Sequence, residues 1–90
     1  MDIVFTTNGW QDFEYWLEND PDTGVKIKEP LKFVKQNPFQ GIGKPEPLKH
    51  YLKGYWSRRI AGDRLVYKVT ETKGDKQKCI IIQCRFHYED

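Results

Sequence analysis

Long apolar runs are missing from this 90-residue chain. None approaches the roughly 18 residues that a helix needs to cross a bilayer. Cysteine is scarce as well. The two present, Cys79 and Cys84, lie five apart in one β-like segment, which predicts opposite faces and no mutual disulfide. No CxxC or Cys/His metal spacing occurs, and the opening MDIVFTTNGW has neither the basic stretch nor the long apolar stretch of a signal peptide. Repeats, low-complexity tracts and Ser/Gly-rich linkers are also lacking. Ninety residues suffice for one modest core and not for two. The expectation is a single domain over residues 1–90: cytoplasmic, reduced, not bound to a membrane, and without metal or cofactor.

A strong net charge is absent too, at +2, but its distribution is uneven. Residues 44–68 carry seven Lys/Arg (Lys44, Lys49, Lys53, Arg58, Arg59, Arg64, Lys68) against Glu46 and Asp63. The first 43 residues sum to −3 and the last 22 to zero. Tyr51, Tyr55, Trp56 and Tyr67 are interleaved with the basic residues. Cations suit phosphates and rings suit bases, so this composition fits a nucleic-acid surface. A solvated basic face has the same composition.

DIVFT (2–6) reads as a strand. Thr7 or Asn8 then caps a helix, with Gln11 three positions after Asn8 as in a capping box. Trp10, Phe13, Trp16 and Leu17 form one apolar helical stripe, expected in the core. Asp20-Pro21 and Gly24 end that helix. Val25, Ile27, Leu31 and Val34 mark a second, in which Pro30 predicts a kink or a restart, because an interior proline removes a hydrogen bond. NPFQGIGKPEP is a structured loop anchored by Phe39 and Ile42. GYWSRRI, RLVYKVTE and KCIIIQCRFHY are three strands. A two-residue Gly62-Asp63 loop joins the first two, pairing Arg59 with Val66, and the polar ETKGDKQ joins the last two. The predicted class is α+β: two N-terminal helices on one face of a small, mainly antiparallel twisted sheet, the other face open.

Alternate strand residues face opposite ways. Trp56, Ile60, Leu65, Tyr67 and Val69 therefore share the apolar face, matched by Ile80, Ile82, Cys84 and Phe86. Tyr55, Ser57, Arg59, Arg64, Val66, Lys68, Gln83, Arg85 and His87 share the other, and the Glu46 loop enters directly before its first strand. Pro45 and Pro47 bracket Glu46 and stiffen it. A carboxylate, a histidine and arginines make a coherent kit for RNA cleavage. A base takes the 2′-hydroxyl proton, guanidiniums grip the phosphate oxygens, and an acid protonates the leaving 5′-oxygen. That chemistry asks for no metal.

NPFQGIGKPEPLKHYLKGYWSRRI, RLVY and CRFHY together closely resemble the Txe/YoeB family of toxin–antitoxin toxins, within the wider RelE/ParE fold, and the resemblance runs over essentially all 90 residues. It implies a ribosome-dependent mRNA endoribonuclease that cuts translated messages at the ribosomal A site. A YefM- or Axe-like antitoxin would neutralise it, ribosomal RNA and mRNA would be its other partners, and a homodimer is expected. Carried over residue by residue, Glu46 is the general base and His87 the general acid. Arg64 and Arg59 stabilise the phosphorane, Lys49 contacts RNA phosphate, and Tyr88 positions substrate. Arg58, from the same basic segment, joins them as a substrate contact.

Three departures stand out. Asp63 occupies the place where the family usually has a histidine, in a turn that is shorter here; ETKGDKQ lengthens one hairpin; and Glu89-Asp90 follow the usual terminal tyrosine. Two other readings stay open on these residues. A non-cleaving binding toxin, either a ParE-like target inhibitor or a translation blocker, needs neither Glu46 nor His87. A degenerate toxin is what Asp63 and the acidic tail would favour.

Overall fold

The computed structural model describes residues 1–39, 45–60, 62–70 and 77–85. The elements in order are β1 (Asp2–Phe5), α1 (Thr7–Asn19), α2 (Pro21–Gln36), β2 (Glu46–Pro47), a 3-10 turn (His50–Leu52), β3 (Trp56–Ile60), β4 (Asp63–Val69) and β5 (Lys78–Gln83). The strands lie in the order β1-β5-β4-β3-β2. Only β1 with β5 is parallel; the other pairs are antiparallel. Both helices cover one face, so the α+β layout expected from the sequence is the one found.

Helix α1 is capped by Thr6, one residue before the first predicted cap, Thr7. Thr6, in extended backbone, accepts from the Gly9 N–H through its Oγ1 at 3.1 Å. Asn8 reaches out instead and donates to the Ile82 carbonyl at 3.0 Å. Asp20 serves both helices. Its N–H donates to the Trp16 carbonyl at the end of α1 (2.8 Å), and its carboxylate accepts from Thr23 Oγ1 (2.7 Å) at the start of α2. With Pro21 preset for a first turn, α2 starts four residues before Val25. It then runs through Pro30 to Gln36 without the expected restart, and Pro30 is buried.

The core joins Ile27 and Val34 of α2 to Ile60, Leu65, Tyr67, Cys79, Ile81 and Cys84, with Ile3, Phe5, Phe13, Trp16, Leu31 and Trp56 packed around them. Each fully buried aliphatic side chain contributes about 1.5–3 kcal/mol. The predicted aromatic stripe is half right. Phe13 stacks on Phe5 at 5.6 Å, whereas Trp10 and Leu17 remain nearly half exposed.

Two strand predictions are corrected. In the β3–β4 hairpin Ile60 pairs with Asp63 and Arg59 with Arg64, so Asp63 belongs to β4 and not to the connecting loop. The shift is two residues, an even number, and the faces assigned to β3 and β4 survive it. In β5 the faces do change. Tyr67 pairs with Ile81 and Val69 with Cys79, while Val66 pairs with Gln83, leaving Ile82 as an extra residue in a bulge. Cys79 and Ile81 therefore face the helices in place of Ile80 and Ile82. Past the bulge, Gln83 and Cys84 return to the predicted sides. Cys79 and Cys84 consequently both enter the core, as free thiols. Among the described residues, no helix is long and apolar enough to cross a membrane.

Candidate active site

The stretch Pro45-Glu46-Pro47 builds the sheet's edge. The Leu48 N–H donates to the Tyr55 carbonyl at 2.9 Å, and Glu46 pairs with Ser57. Antiparallel bonding alternates along a strand, so positions 46 and 48 turn their backbone toward β3, while 45 and 47 turn it outward. Both outward positions are proline, which has no N–H to offer, and an edge strand tolerates that residue there. The chain then turns back through His50 and Gly54, the two described residues with positive φ (56° and 96°). The brackets around Glu46 thus permit pairing on one side only, and that pairing fixes which face its carboxylate takes.

Register assembles the rest. Glu46, Ser57, Val66 and Gln83 lie in one row across β2, β3, β4 and β5, and Arg59 stands opposite Arg64 in the next row. Directly opposed residues share a face. Arg64 Nη2 reaches Glu46 Oε2 at 3.5 Å; the arginine side chain is 14% exposed and the glutamate 48%. Arg59 is exposed, and so is Lys49, at the mouth of the β2–β3 turn. Beyond them Lys68 lies 5.6 Å from the Tyr55 ring centre. Two guanidiniums directly opposite one another repel. A shared anion between them relieves that repulsion, and arginine's planar fork suits phosphate oxygens. A carboxylate beside a pair of phosphate-type donors has the chemistry to act as a base next to a bound anion.

Arg58 is corrected. It shares parity with Trp56 and Ile60, points to the helix side and is wholly buried. Its Nε donates to the Tyr67 hydroxyl at 3.0 Å and its Nη2 to the Asn37 carbonyl at 2.7 Å, while the Tyr67 hydroxyl donates to the Pro38 carbonyl. Phe39 packs on Trp56 at 4.8 Å, the anchoring role expected of it. Arg58 therefore ties down the chain leaving α2 and is not a substrate contact. Burial raises the Tyr67 hydroxyl above its ordinary value, the Arg58 charge opposing that rise.

Arg85, expected on the open face, instead lies over the Tyr15 ring of α1, 3.3 Å from its centre. Nearby, α1 holds the end of β5 by several bonds. The Cys84 N–H donates to Asp12 Oδ2 at 3.1 Å, Trp16 Nε1 donates to the Cys84 carbonyl at 2.7 Å, and Cys84 Sγ lies 3.6 Å from the Gly9 carbonyl. Burial raises the Asp12 carboxyl, and the Cys84 N–H and the Arg85 charge pull the other way. Burial also pushes both thiols up to about 12. Sequence reasoning missed this clamp; an acid at position 12, between Trp10 and Phe13, was its one visible sign. The predictions for Ile42, His87, Tyr88, the acidic tail and most of ETKGDKQ lie outside the described residues.

A sequence profile for the YoeB-like toxin of bacterial type II toxin–antitoxin systems matches residues 5–88. Toxin YoeB of Streptomyces coelicolor is 45% identical over 89 residues, covering 98% of this chain and all of the relative. Among solved structures, a YoeB/ParE toxin from Agrobacterium tumefaciens superposes with a TM-score of 0.91 at 46% identity, covering 98% of this chain and 100% of the other. YoeB from Staphylococcus aureus, solved as a dimer, gives 0.83 at 40% identity, with 98% of each chain covered. A YoeB–YefM heterotetramer from the same organism gives 0.82, also at 40% identity and with 98% of each chain covered.

Proposed function

This chain belongs to the YoeB-like toxins of bacterial type II toxin–antitoxin systems, and from that premise we propose that it is a ribosome-dependent endoribonuclease that cleaves translated mRNA at the A site. The observation that carries the reading is the cluster on the open sheet face: Arg59 directly opposite Arg64, with the Glu46 carboxylate 3.5 Å from the latter. In this reading Glu46 takes the proton of a 2′-hydroxyl, and the 2′-oxygen attacks the adjacent phosphorus. Arg64 and Arg59 meet the charge that grows on the phosphorane oxygens. The bond to the 5′-oxygen breaks as His87 protonates that oxygen, leaving a cyclic phosphate and a free 5′-hydroxyl. Tyr88 positions the substrate, and Lys49 adds a phosphate contact.

Two features of the free protein support this assignment. The base and its neighbouring cation sit on β2 and β4, held in place by the hydrogen-bonded β3 between them, so little has to be ordered when substrate arrives. The site also carries its own internal anion: Glu46 occupies the guanidinium that a phosphate would take. The partners follow from the relatives. A YefM-like antitoxin is the expected inhibitor, since a relative is solved bound to YefM, and a homodimer is the expected free form.

The test is primer extension on a message translated in a purified system, with wild type, Glu46→Ala and His87→Ala in parallel. New 5′ ends at A-site codons that need ribosomes and vanish in both variants are expected. Stalled translation without new ends would transfer the assignment to a non-cleaving binding toxin.

A further inference from the structure

Ser57 lies at the centre of the cluster, yet the reaction as described gives it no task. Its side chain is wholly buried. Its Oγ forms no hydrogen bond among the described residues. A buried hydroxyl left unmade is unfavourable, and an alanine or valine would fill the same place on a strand without that penalty. Register narrows the groups it can serve. Its two direct cross-strand neighbours are Glu46 on β2 and Val66 on β4. Val66 is apolar and 1% exposed, so the polar neighbour in the row is Glu46. Opposed residues of this kind have Cβ atoms roughly 4.5–5.5 Å apart, a span that a hydroxyl and a glutamate carboxylate can bridge.

The state of Glu46 explains why that bond is not made in the free protein. Its Oε2 is turned to Arg64, and 3.5 Å is long beside the roughly 2.7–2.9 Å of a good charge-assisted bond. An incoming phosphate competes for the same guanidinium. Once Arg64 turns to the phosphate, Glu46 loses the cation that held it and needs a second donor to stay ionised and aimed. Ser57 is the donor beneath it, and its burial removes water as a competitor.

We propose that Ser57 is a positioning residue for Glu46: its hydroxyl donates to the carboxylate when substrate phosphate withdraws Arg64, keeping the base ionised and directed at the 2′-hydroxyl. The inference rests on the nuclease reading above. A hydrogen bond to the ionised form of an acid favours that form. Loss of the donor therefore moves the acid limb of the cleavage profile to higher pH.

The test compares wild type with Ser57→Ala, Ser57→Thr and Ser57→Val. Threonine and valine have the same shape and differ by the hydroxyl, so any strain from the added bulk is common to both. Single-turnover cleavage of ribosome-bound message is followed from pH 6 to pH 9. Threonine is expected to keep the wild-type profile. Alanine and valine are expected to lose cleavage severalfold at most at pH 6 relative to threonine and to recover toward alkaline pH, as loss of a bond to a charged group predicts. Superimposable threonine and valine profiles would overturn the proposal. If wild type itself cuts nothing, the nuclease reading has failed, and a second measurement decides on Ser57. The carboxyl-carbon NMR signal of Glu46 is recorded in saturating inorganic phosphate. Agreement of serine with threonine, and a displaced signal in valine, supports the contact; one common signal in all four proteins overturns it.

Discussion

Glu46 and Arg64 meet across a strand that belongs to neither. Glu46 stands on β2 and Arg64 on β4, and their 3.5 Å contact passes over β3. A partly exposed pair of this kind adds at most about 1 kcal/mol to stability. Arg64→Ala is therefore expected to leave the melting temperature within a few degrees of wild type while lowering cleavage by about 10²–10³-fold, the range for removing one preorganised donor from a developing anion. Arg64→Lys restores charge but not the planar fork and recovers only part of the loss. Thermal melts and single-turnover rates on the same preparations check both halves. A large drop in stability with normal cleavage would refute the assignment.

Arg58 and Arg59 are adjacent in sequence and opposite in consequence. Arg58 is buried and bonded to Tyr67 and Asn37; Arg59 is exposed. Arg59→Ala is expected to weaken RNA binding and flatten its salt dependence, as loss of a phosphate contact does, with the fold intact. Tyr67→Phe leaves the Pro38 carbonyl and the Arg58 Nε short of a partner and is expected to destabilise by about 1–3 kcal/mol. Urea titrations and salt-dependent binding separate the two. Equal stability of Tyr67→Phe and wild type would show the network to be dispensable.

Asp12 sets a pH dependence whose sign follows from its burial. Its carboxyl is raised above 3.8, so the native state favours the neutral form. The stability it contributes is fully present below pH 3.8 and is lost as pH rises through the raised native value. Asp12→Asn keeps an acceptor for the Cys84 N–H and removes the titration. The variant is expected to melt higher than wild type at pH 7, with the gap closing as pH falls toward 4. A lower melting temperature at pH 7 would mean that attraction to Arg85 outweighs desolvation.

The two thiols provide a probe of opening. Both are buried, with protons held until about pH 12. Thiolate is the reactive form. Iodoacetamide at pH 8 is expected to leave the native protein unlabelled for hours and to modify Cys79 and Cys84 together in urea. Rapid labelling of Cys84 alone would show that the end of β5 opens independently of the core.

The sequence was most legible where one period governed. The 3.6-residue spacing located both helices, and strand parity grouped Ser57, Arg59, Arg64 and Val66 correctly, because a register shift of two residues preserves faces. Legibility failed where a local irregularity intervened. The bulge at Ile82 leaves no mark in KCIIIQC, since three isoleucines look alike whichever of them faces the core. Arg58 was misassigned for another reason: charge suggested the surface, while its parity with Trp56 and Ile60 already pointed inward. The Asp12–Cys84 clamp joins residues 72 positions apart and depends on how α1 docks, which no local pattern encodes.

The strand order sets the sequence in which this protein can come into being. β5 lies between β1 and β4, so the first strand to be translated, Asp2–Phe5, has no neighbour in the sheet until Lys78–Gln83 has been made. Both helices likewise wait for Ile81 and Cys84 to complete the core beneath them. Contacts this distant form late and slowly compared with local ones. Until β5 has been made, the β2–β3–β4 unit that carries Glu46, Arg59 and Arg64 therefore lacks its β5 neighbour and the completed core behind it. The protein completes the sheet beneath its candidate site only after its own synthesis has passed β5.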